Sequence, residues 1–222
     1  LDRLMLGDQR ISGRLTADAT VRGTTAAPQV EGEFTLAPGA FRMFMFDSLA
    51  GTVNYAERGM TLDVRLEQTP TAWFTAKGYA PLTLFRPTPP EAVGVDAPPA
   101  PGEAGDIQIA SSSIDPGYTQ GFLACVTDLT GVMQTDVKIS GSGYDPQFTG
   151  FVDVRGGAFA IPDLGTNYTG LDTRIDLQSD RFSISEFKIL DNRGFPMTIG
   201  GTLGLAERAG GGVDISITSE NF

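Results

Sequence analysis

Apolar and polar residues alternate along most of this chain with a period of two. The stretch MTLDVRLEQT places Leu62, Val64 and Leu66 on one side of an extended backbone and polar or charged residues on the other. The same period recurs in residues 33–36 and 151–155. Because successive side chains of a β-strand point to opposite faces, this pattern predicts strands with one apolar face and one polar face.

An internal repeat accompanies the alternation. Val21–Phe41 has the sequence VRGTTAAPQVEGEFTLAPGAF, and Ile139–Phe159, which lies 118 positions later, has the sequence ISGSGYDPQFTGFVDVRGGAF. Gly, Pro, Gly and the tripeptide Gly-Ala-Phe fall at the same spacing in both segments. Since glycine and proline supply turns between strands, the sequence predicts two β-repeats with the same order of strands and turns.

The repeats suggest one continuous structural unit with three parts. We predict a first β-repeat in residues 1–85, a proline-rich insertion or linker with a short strand in residues 86–115, and a short helix followed by the second β-repeat in residues 116–222. The helix is predicted within residues 115–131, because large apolar side chains recur there at intervals of three and four. Its apolar positions are Tyr118, Phe122, Val126 and Leu129, with Cys125 on the same side.

Composition argues against several classes of chemistry. The chain has no histidine and a single cysteine, which excludes histidine-based catalytic triads and thiolate zinc clusters. Its net charge of -11 repels phosphate backbones, so nucleic acid is not expected as a partner. The carboxylates are scattered over outward strand positions. We therefore predict that the protein is not an enzyme and has no catalytic residue, no metal site and no cofactor.

The N-terminal sequence LDRLMLGDQR has no initiator methionine and begins within a pattern. We therefore expect this chain to be a section of a longer protein. No apolar run reaches the roughly 18 residues of a membrane span. We expect any membrane anchor to lie outside the sequence in hand.

The repeated motif resembles the repeating unit of the AsmA-like/TamB family. Val21, Gly23, Pro28, Gly32, Leu36, Gly39 and Phe41 carry it in the first copy, and Ile139, Gly141, Pro146, Gly150, Val154, Gly157 and Phe159 in the second. Tyr168 and Gly201-Thr202-Leu203 follow downstream. The resemblance covers most of the chain outside the proline-rich insertion.

The resemblance implies a fold and a function. Family members are bacterial envelope proteins with an inner-membrane anchor and a periplasmic β-sheet that is curled into an open trough, the β-taco. They are implicated in moving phospholipid between the inner and outer membranes, and TamB also in outer-membrane protein assembly with a barrel partner. We accordingly expect an all-β, elongated, curved antiparallel sheet. Phospholipid acyl chains are the expected ligand, and an outer-membrane barrel protein is an expected partner of other parts of the protein.

A trough of this kind would be lined by the apolar side of the strands. We predict that the lining residues are Val21, Phe34, Leu36, Phe41, Met43, Met45, Leu62, Val64, Leu66, Val137, Ile139, Val152, Val154, Phe159, Ile161, Ile175, Leu177, Phe182, Ile184, Ile199 and Leu203. The alternation by itself fits a closed β-sandwich equally well, since both architectures bury one face of each strand. That fold is the alternative.

Three functions follow from these alternatives. The first is a periplasmic groove that conducts lipid. The second is a structural or adhesive β-sandwich that binds a protein or a glycan on its outer face. The third, a hydrolase with two carboxylates, would require a cleft with a pair of acids, and we rank it last.

Overall fold

A computed structural model describes residues 11–25, 27–41, 44–56, 58–85, 103–121, 126–142, 145–179, 181–204 and 212–219. Most of these residues lie in thirteen β-strands. The strands are β1 Ile11–Gly23, β2 Pro28–Phe41, β3 Phe44–Phe46, β4 Ser48–Ala56, β5 Gly59–Glu67, β6 Trp73–Pro81, β7 Ala104–Ser111, β8 Thr127–Ser142, β9 Pro146–Ile161, β10 Thr166–Gln178, β11 Arg181–Leu190, β12 Pro196–Gly204 and β13 Val213–Ser219.

All of these strands belong to one antiparallel sheet. Twelve strands follow one another in chain order from β1 to β13, and the short β3 pairs with β2 beside this path. Among the described residues the two end strands each have a single neighbour, so the sheet is open. At about 4.8 Å per strand, eleven steps give it a length of about 53 Å. The prediction of an elongated, open, all-β sheet is confirmed, whereas a two-sheet sandwich is not formed by the described residues.

The internal repeat reappears as two equivalent hairpins. β1 and β2 meet at the pair Gly23 and Pro28, and β8 and β9 meet at Gly141 and Pro146. The two glycines have φ angles of 86° and 85°. A side chain at either position would collide with a carbonyl oxygen of the turn. Repetition of these glycines therefore reflects the same left-handed turn built twice.

The two repeats are joined into a single sheet by β7. This strand pairs with β6 of the first repeat and β8 of the second. It is the short strand predicted before residue 115. Most of the proline-rich segment, residues 86–102, lies outside the described residues.

The predicted helix is wrong in its extent and type. A 3₁₀ segment covers Pro116–Gly121, and β8 begins at Thr127, so Leu129 lies in a strand. The cause is visible in the burial pattern, because Leu129 is buried between two exposed neighbours and thus starts the period-two alternation of β8. Phe122 and Cys125 lie outside the described residues.

Two other 3₁₀ segments occupy Leu82–Phe85 and Pro162–Leu164. Within the described ranges, no helix has the length and apolar character needed to cross a bilayer.

Two clusters of buried hydrophobic side chains lie along one long side of the sheet, which we call the packed margin. It is the side at which β2 ends and β4 begins. One cluster comprises Phe44, Phe46, Leu66 and Ile114, and a second comprises Met133, Val154, Leu171 and Ile189.

Candidate functional site

The face of the sheet that bears the packed margin is mainly apolar, with Thr135 and Thr173 as buried polar exceptions, and we call it the inner face. Strand register aligns one residue from each of twelve strands in a continuous line, which we call the open row. It runs through Ala17, Phe34, Gly51, Val64, Ala76, Ile109, Val137, Gly150, Leu177, Phe182, Leu203 and Val213. None of these residues carries a polar or charged side chain, so the row is an apolar path along the whole length of the sheet.

The open row differs from the packed margin in how far it is covered. Val137 is the one member of the row that is buried, with 7% exposure. The other members are partly or fully accessible to solvent. An apolar surface of this length is uncommon on a soluble protein unless something binds there.

The opposite face is polar, as the alternation requires. A parallel line of paired residues on this outer face runs through Asp18, Glu33, Thr52, Asp63, Lys77, Gln108, Lys138 and Thr149. The Lys77 ammonium lies 2.7 Å from the Asp63 carboxylate on the neighbouring strand. Because these groups are exposed, their ion pairs contribute little to stability, and they mainly keep this face in water.

The ion pairs are densest on the outer face of β9, β10 and β11. The Arg155 guanidinium donates to Asp153 at 2.9 Å and to Glu186 at 3.4 Å. Its hydrogen bond to Asp153 raises the pKa of Arg155, and hydrogen bonds from Lys188 and Arg155 lower the pKa of Glu186. Arg174 lies over the ring of Phe151 at 4.4 Å, which covers the one aromatic side chain on this part of the outer face.

Residues 112–121 pack over the inner face of the sheet at the packed margin. Ile114 forms two backbone hydrogen bonds with Met133 of β8, at 2.9 and 2.8 Å, and its side chain is 2% exposed. The next residue, Asp115, donates its N–H to the side-chain oxygen of Gln68 at 3.2 Å, and its carboxylate accepts the N–H of Gly117 at 2.7 Å. The segment is therefore fixed to strands on both sides.

Tyr118 links the two clusters of the packed margin. Its ring centre lies 5.9 Å from that of Phe44 and 5.0 Å from that of Phe74, and it also packs against the second cluster. Burial raises the pKa of the Tyr118 phenol above its ordinary range. The ring acts as an apolar filler between the two halves of the sheet.

A cleft of about 580 Å³ lies beside this segment. Its lining runs from Pro38 and Gly39 of β2 to Leu129 of β8. In a flat sheet these strands would be five steps, or about 24 Å, apart. The sheet therefore bends around residues 112–121 at this margin.

Two shallower depressions lie on the outer face near the first strands. One of about 430 Å³ is lined by Asp18, Glu33, Asp63 and Arg65 among others. A twisted sheet is concave along opposite diagonals of its two faces, which explains why the polar face also has hollows. No group of three or more metal-ligating side chains occurs in the described part of the chain.

Most of the predicted lining residues lie on the inner face. By strand register these are Val21, Phe34, Leu36, Leu62, Val64, Leu66, Val137, Ile139, Val152, Val154, Ile175, Leu177, Phe182, Ile184, Ile199 and Leu203. Phe41 and Phe159 pack against the first and second buried clusters respectively. Ile161 ends β9 opposite Thr166.

One predicted lining residue, Met45, points away from the buried clusters, although it contributes to the lining of the cleft beside residues 112–121. Met45 is 74% exposed, whereas its neighbours Phe44 and Phe46 are buried. The three residues form β3, in which alternation turns the two phenylalanines inward and the methionine outward. Met43 lies outside the described residues.

Several inner-face residues were missed by the sequence analysis. Ile107 and Ile109 of β7 and the isoleucines of β13 belong to the same face. Their signal was present as the alternation in DIQIA and VDISIT. Ile114 and Tyr118 have no such signal, because they belong to an irregular segment without a period.

Comparisons with protein-family models, with curated proteins and with solved structures return no match to this chain.

Proposed function

We propose that this chain is a section of a hydrophobic groove that carries phospholipid acyl chains between the inner and outer membranes in the bacterial periplasm. The observation that supports this proposal is the open row. It offers an apolar path across twelve of the thirteen strands, from β1 to β13, with no charge along its length.

The dimensions of the row suit hydrocarbon chains. A row of about 53 Å corresponds to roughly three and a half times the hydrocarbon thickness of one bilayer leaflet, which is about 15 Å. Each methylene group removed from water contributes about 0.8 kcal/mol. Ten covered methylenes would therefore contribute about 8 kcal/mol, without any specific contact to a headgroup.

The distribution of polar groups favours tails on the sheet and headgroups in solvent. The inner face has no charged residue in the open row, and the outer face carries the ion pairs of Asp63 with Lys77 and of Arg155 with Asp153. The net charge of -11 would disfavour binding of anionic headgroups over a wide surface. A groove that binds only the tails avoids this repulsion.

The periplasmic setting rests on the resemblance of the repeated motif to the AsmA-like/TamB family. In this proposal the membrane anchor and the regions that dock to the outer membrane belong to other parts of the protein. The chain acts as a passive surface and carries out no reaction.

The proposal predicts that lipid is captured on the inner face and not on the outer face, which photo-crosslinking can test. A photo-crosslinking amino acid is placed at Phe34, which lies in the open row, or at the adjacent Thr35, which lies on the outer face of the same strand. The chain is then incubated with phosphatidylethanolamine vesicles, irradiated and analysed by mass spectrometry. We expect lipid adducts at position 34 and few at position 35. Equal capture at both positions, or none at position 34, would refute the proposal.

A second pair of variants tests whether the inner face beside the open row must stay unobstructed. Gly32 lies on the inner face, and the nearest atom to an added Cβ is 3.5 Å away, so a larger side chain can project from the sheet. Gly200 has similar space, 3.7 Å, on the outer face. We expect Gly32→Leu to reduce passage of lipid in the full-length protein and Gly200→Leu to leave it unchanged. Equal effects would contradict the proposal, and a loss with Gly200→Leu alone would indicate that the outer face carries the function, as in a protein-binding or glycan-binding module.

A further inference from the structure

The covered part of the inner face reaches the open row at β8. Met133, Thr135 and Val137 follow one another on the inner side of this strand and are 8%, 6% and 7% exposed. The next residue on the same side, Ile139, is partly accessible to solvent. A hydrocarbon chain that follows the open row along the sheet therefore meets a covered position at Val137.

By contrast, β4 leaves a wide part of the inner face accessible. All four of its inner-face residues, from Leu49 to Tyr55, are partly accessible, and they span about 20 Å along the strand. On β8, the accessible apolar side chain beyond Val137 is Ile139, and the strand then reaches Gly141 at the turn. A chain that crosses β8 in contact with the sheet thus has one apolar side chain to lie on.

A second apolar row stays accessible across β8. Strand register aligns Gly78, Ile107, Ile139 and Phe148 on β6 to β9, and each of them is partly accessible. On every one of these strands the residue lies two positions from the open row, which is about 7 Å farther from the packed margin. None of the four is polar or charged. We call this line the side row.

The side row returns to the open row beyond β9. The ring centre of Phe148 on β9 lies 5.9 Å from that of Phe182 on β11, in an edge-to-face arrangement. Phe182 is a member of the open row. In a flat sheet β9 and β11 are two steps, or about 10 Å, apart, and the two rings bridge this gap. The apolar surface is therefore continuous around Val137.

We propose that acyl chains cross the middle of the sheet over the side row, with Ile139 as their contact on β8, and that Val137 takes no part in the passage. This inference rests on the proposed function, because it assigns the path within the same groove. The two rows are apolar and lie about 7 Å apart, so a flexible hydrocarbon chain can move from one to the other without meeting a charge. Passage over Val137 would instead require displacement of the close-packed groups that cover it.

The path is tested by photo-crosslinking at neighbouring positions of β8. A photo-crosslinking amino acid is placed at Ile139, at Val137 or at Lys138, which lies between them on the outer face. Each chain is irradiated with phosphatidylethanolamine vesicles and analysed by mass spectrometry. We expect the yield of lipid adducts at position 139 to be at least about fivefold higher than at positions 137 and 138. Circular dichroism checks that each variant is folded.

Capture at Phe34 is the reference that separates two failures. If position 34 captures no lipid, the groove function fails and this inference falls with it. If position 34 captures lipid but position 139 captures none, or positions 137 and 139 capture it equally, the groove function stands and the assigned path is wrong. Methyl NMR of the unsubstituted chain gives the same answer without a bulky probe, because the path predicts contacts of lipid methylenes with the Ile139 methyl groups and not with those of Val137.

A matched pair of substitutions tests whether Ile139 limits the passage. Val53 of β4 belongs to the same line of paired residues through Leu62 and Gly78, but accessible inner-face residues lie on both sides of it. We expect Ile139→Trp to reduce passage of lipid in the full-length protein at least about fivefold, and Val53→Trp to reduce it less than about twofold. Equal reductions, or no reduction with Ile139→Trp, would overturn the proposal.

Discussion

The packed margin and the open row lie on the same face of the same sheet, yet the packed margin is covered and the open row, apart from Val137, is not. Leu66 and Val64 are two residues apart on β5 and point in the same direction. Leu66 is buried under Phe44 and Ile114, whereas Val64 lies in the uncovered row. Alternation therefore determines which face is apolar but not which part of that face is buried.

The cover comes from residues outside the long strands. β3 supplies Phe44 and Phe46, and the irregular segment before β8 supplies Ile114 and Tyr118. These residues cover the packed margin, whereas most of the open row stays accessible to solvent. We expect the packed margin to carry most of the stability that long-range packing provides, and the open row to be available for binding.

The largest effect on stability is expected when a charge is introduced on the inner face of β5, either in the packed margin or outside it. Leu66→Asp buries a carboxylate among phenylalanine rings, and we expect a loss of about 4 kcal/mol or more in the free energy of unfolding. Leu62→Asp, four residues away on the same face, leaves the charge accessible to water, and we expect a loss of about 1 kcal/mol. Urea denaturation followed by circular dichroism measures both.

Thr61→Asp is the control for this pair, because Thr61 lies on the outer face of the same strand and should change stability very little. Similar losses at positions 62 and 66 would mean that the whole inner face is a closed core. The distinction between the two regions would then be wrong.

Two glycines allow the same comparison with a smaller change. A Cβ at Gly157 would lie 3.1 Å from the Cβ of Leu171 and 3.2 Å from the carbonyl oxygen of Thr130. We expect Gly157→Ala to lose about 1–3 kcal/mol by overpacking the margin. Gly32→Ala has ordinary contact distances, and it should be neutral or gain about 0.5 kcal/mol through a less flexible unfolded chain. Thermal melts compare the two, and a loss at Gly32 as large as at Gly157 would contradict the expectation.

Replacement of a buried hydroxyl group in the packed margin is expected to stabilise the protein. Thr173 is 5% exposed, and its hydroxyl has no hydrogen-bond partner. Thr173→Val keeps the shape and removes an unsatisfied polar group, so we expect a gain of about 1 kcal/mol. Thr75 is the control, because its hydroxyl donates to the carbonyl of Ala110 at 3.3 Å and its loss should be slightly destabilising. If Thr173→Val instead destabilises the protein, its hydroxyl has a partner that the geometry does not reveal.

The face on which each strand residue lies was largely predictable from sequence, because a period of two specifies which side chains point to the same side. Leu62, Val64 and Leu66 lie where the alternation of MTLDVRLEQT indicates. The repeated hairpins were predictable from Gly23 and Gly141, since only glycine adopts their left-handed turn without strain.

Residues without a period were not predictable in the same way. The spacing of Tyr118 and Leu129 fits a helix, but Leu129 pairs within β8, because the sheet offers it a buried strand position. Met45 was placed inside because it is apolar, although β3 turns it outward. Whether the open row would be covered depended on long-range contacts of Ile114 and Tyr118, which no local pattern encodes.

The smallest expected effect concerns the turns at the two sides of the sheet. At the packed margin, the Asp191 carboxylate accepts the N–H groups of Arg193 and Phe195, each at 2.8 Å. At the opposite side, the turn after β1 is held by the uncharged hydroxyl of Thr24, which accepts the N–H of Ala27 at 3.2 Å. Only the first turn can respond to pH.

Burial acts to raise the pKa of Asp191, but the two backbone N–H groups and the Arg193 guanidinium outweigh it and hold the pKa below its ordinary value. A depressed folded-state pKa means that the carboxylate stabilises the turn above the pKa of the unfolded chain and loses this contribution as the pH falls through the folded pKa. We therefore expect amide exchange at Arg193 and Phe195 to accelerate in acid relative to the exchange at Ala27, after correction for intrinsic rates. Asp191→Asn should remove this difference, whereas parallel behaviour of the two turns in the unsubstituted protein would show that the carboxylate does not hold the margin.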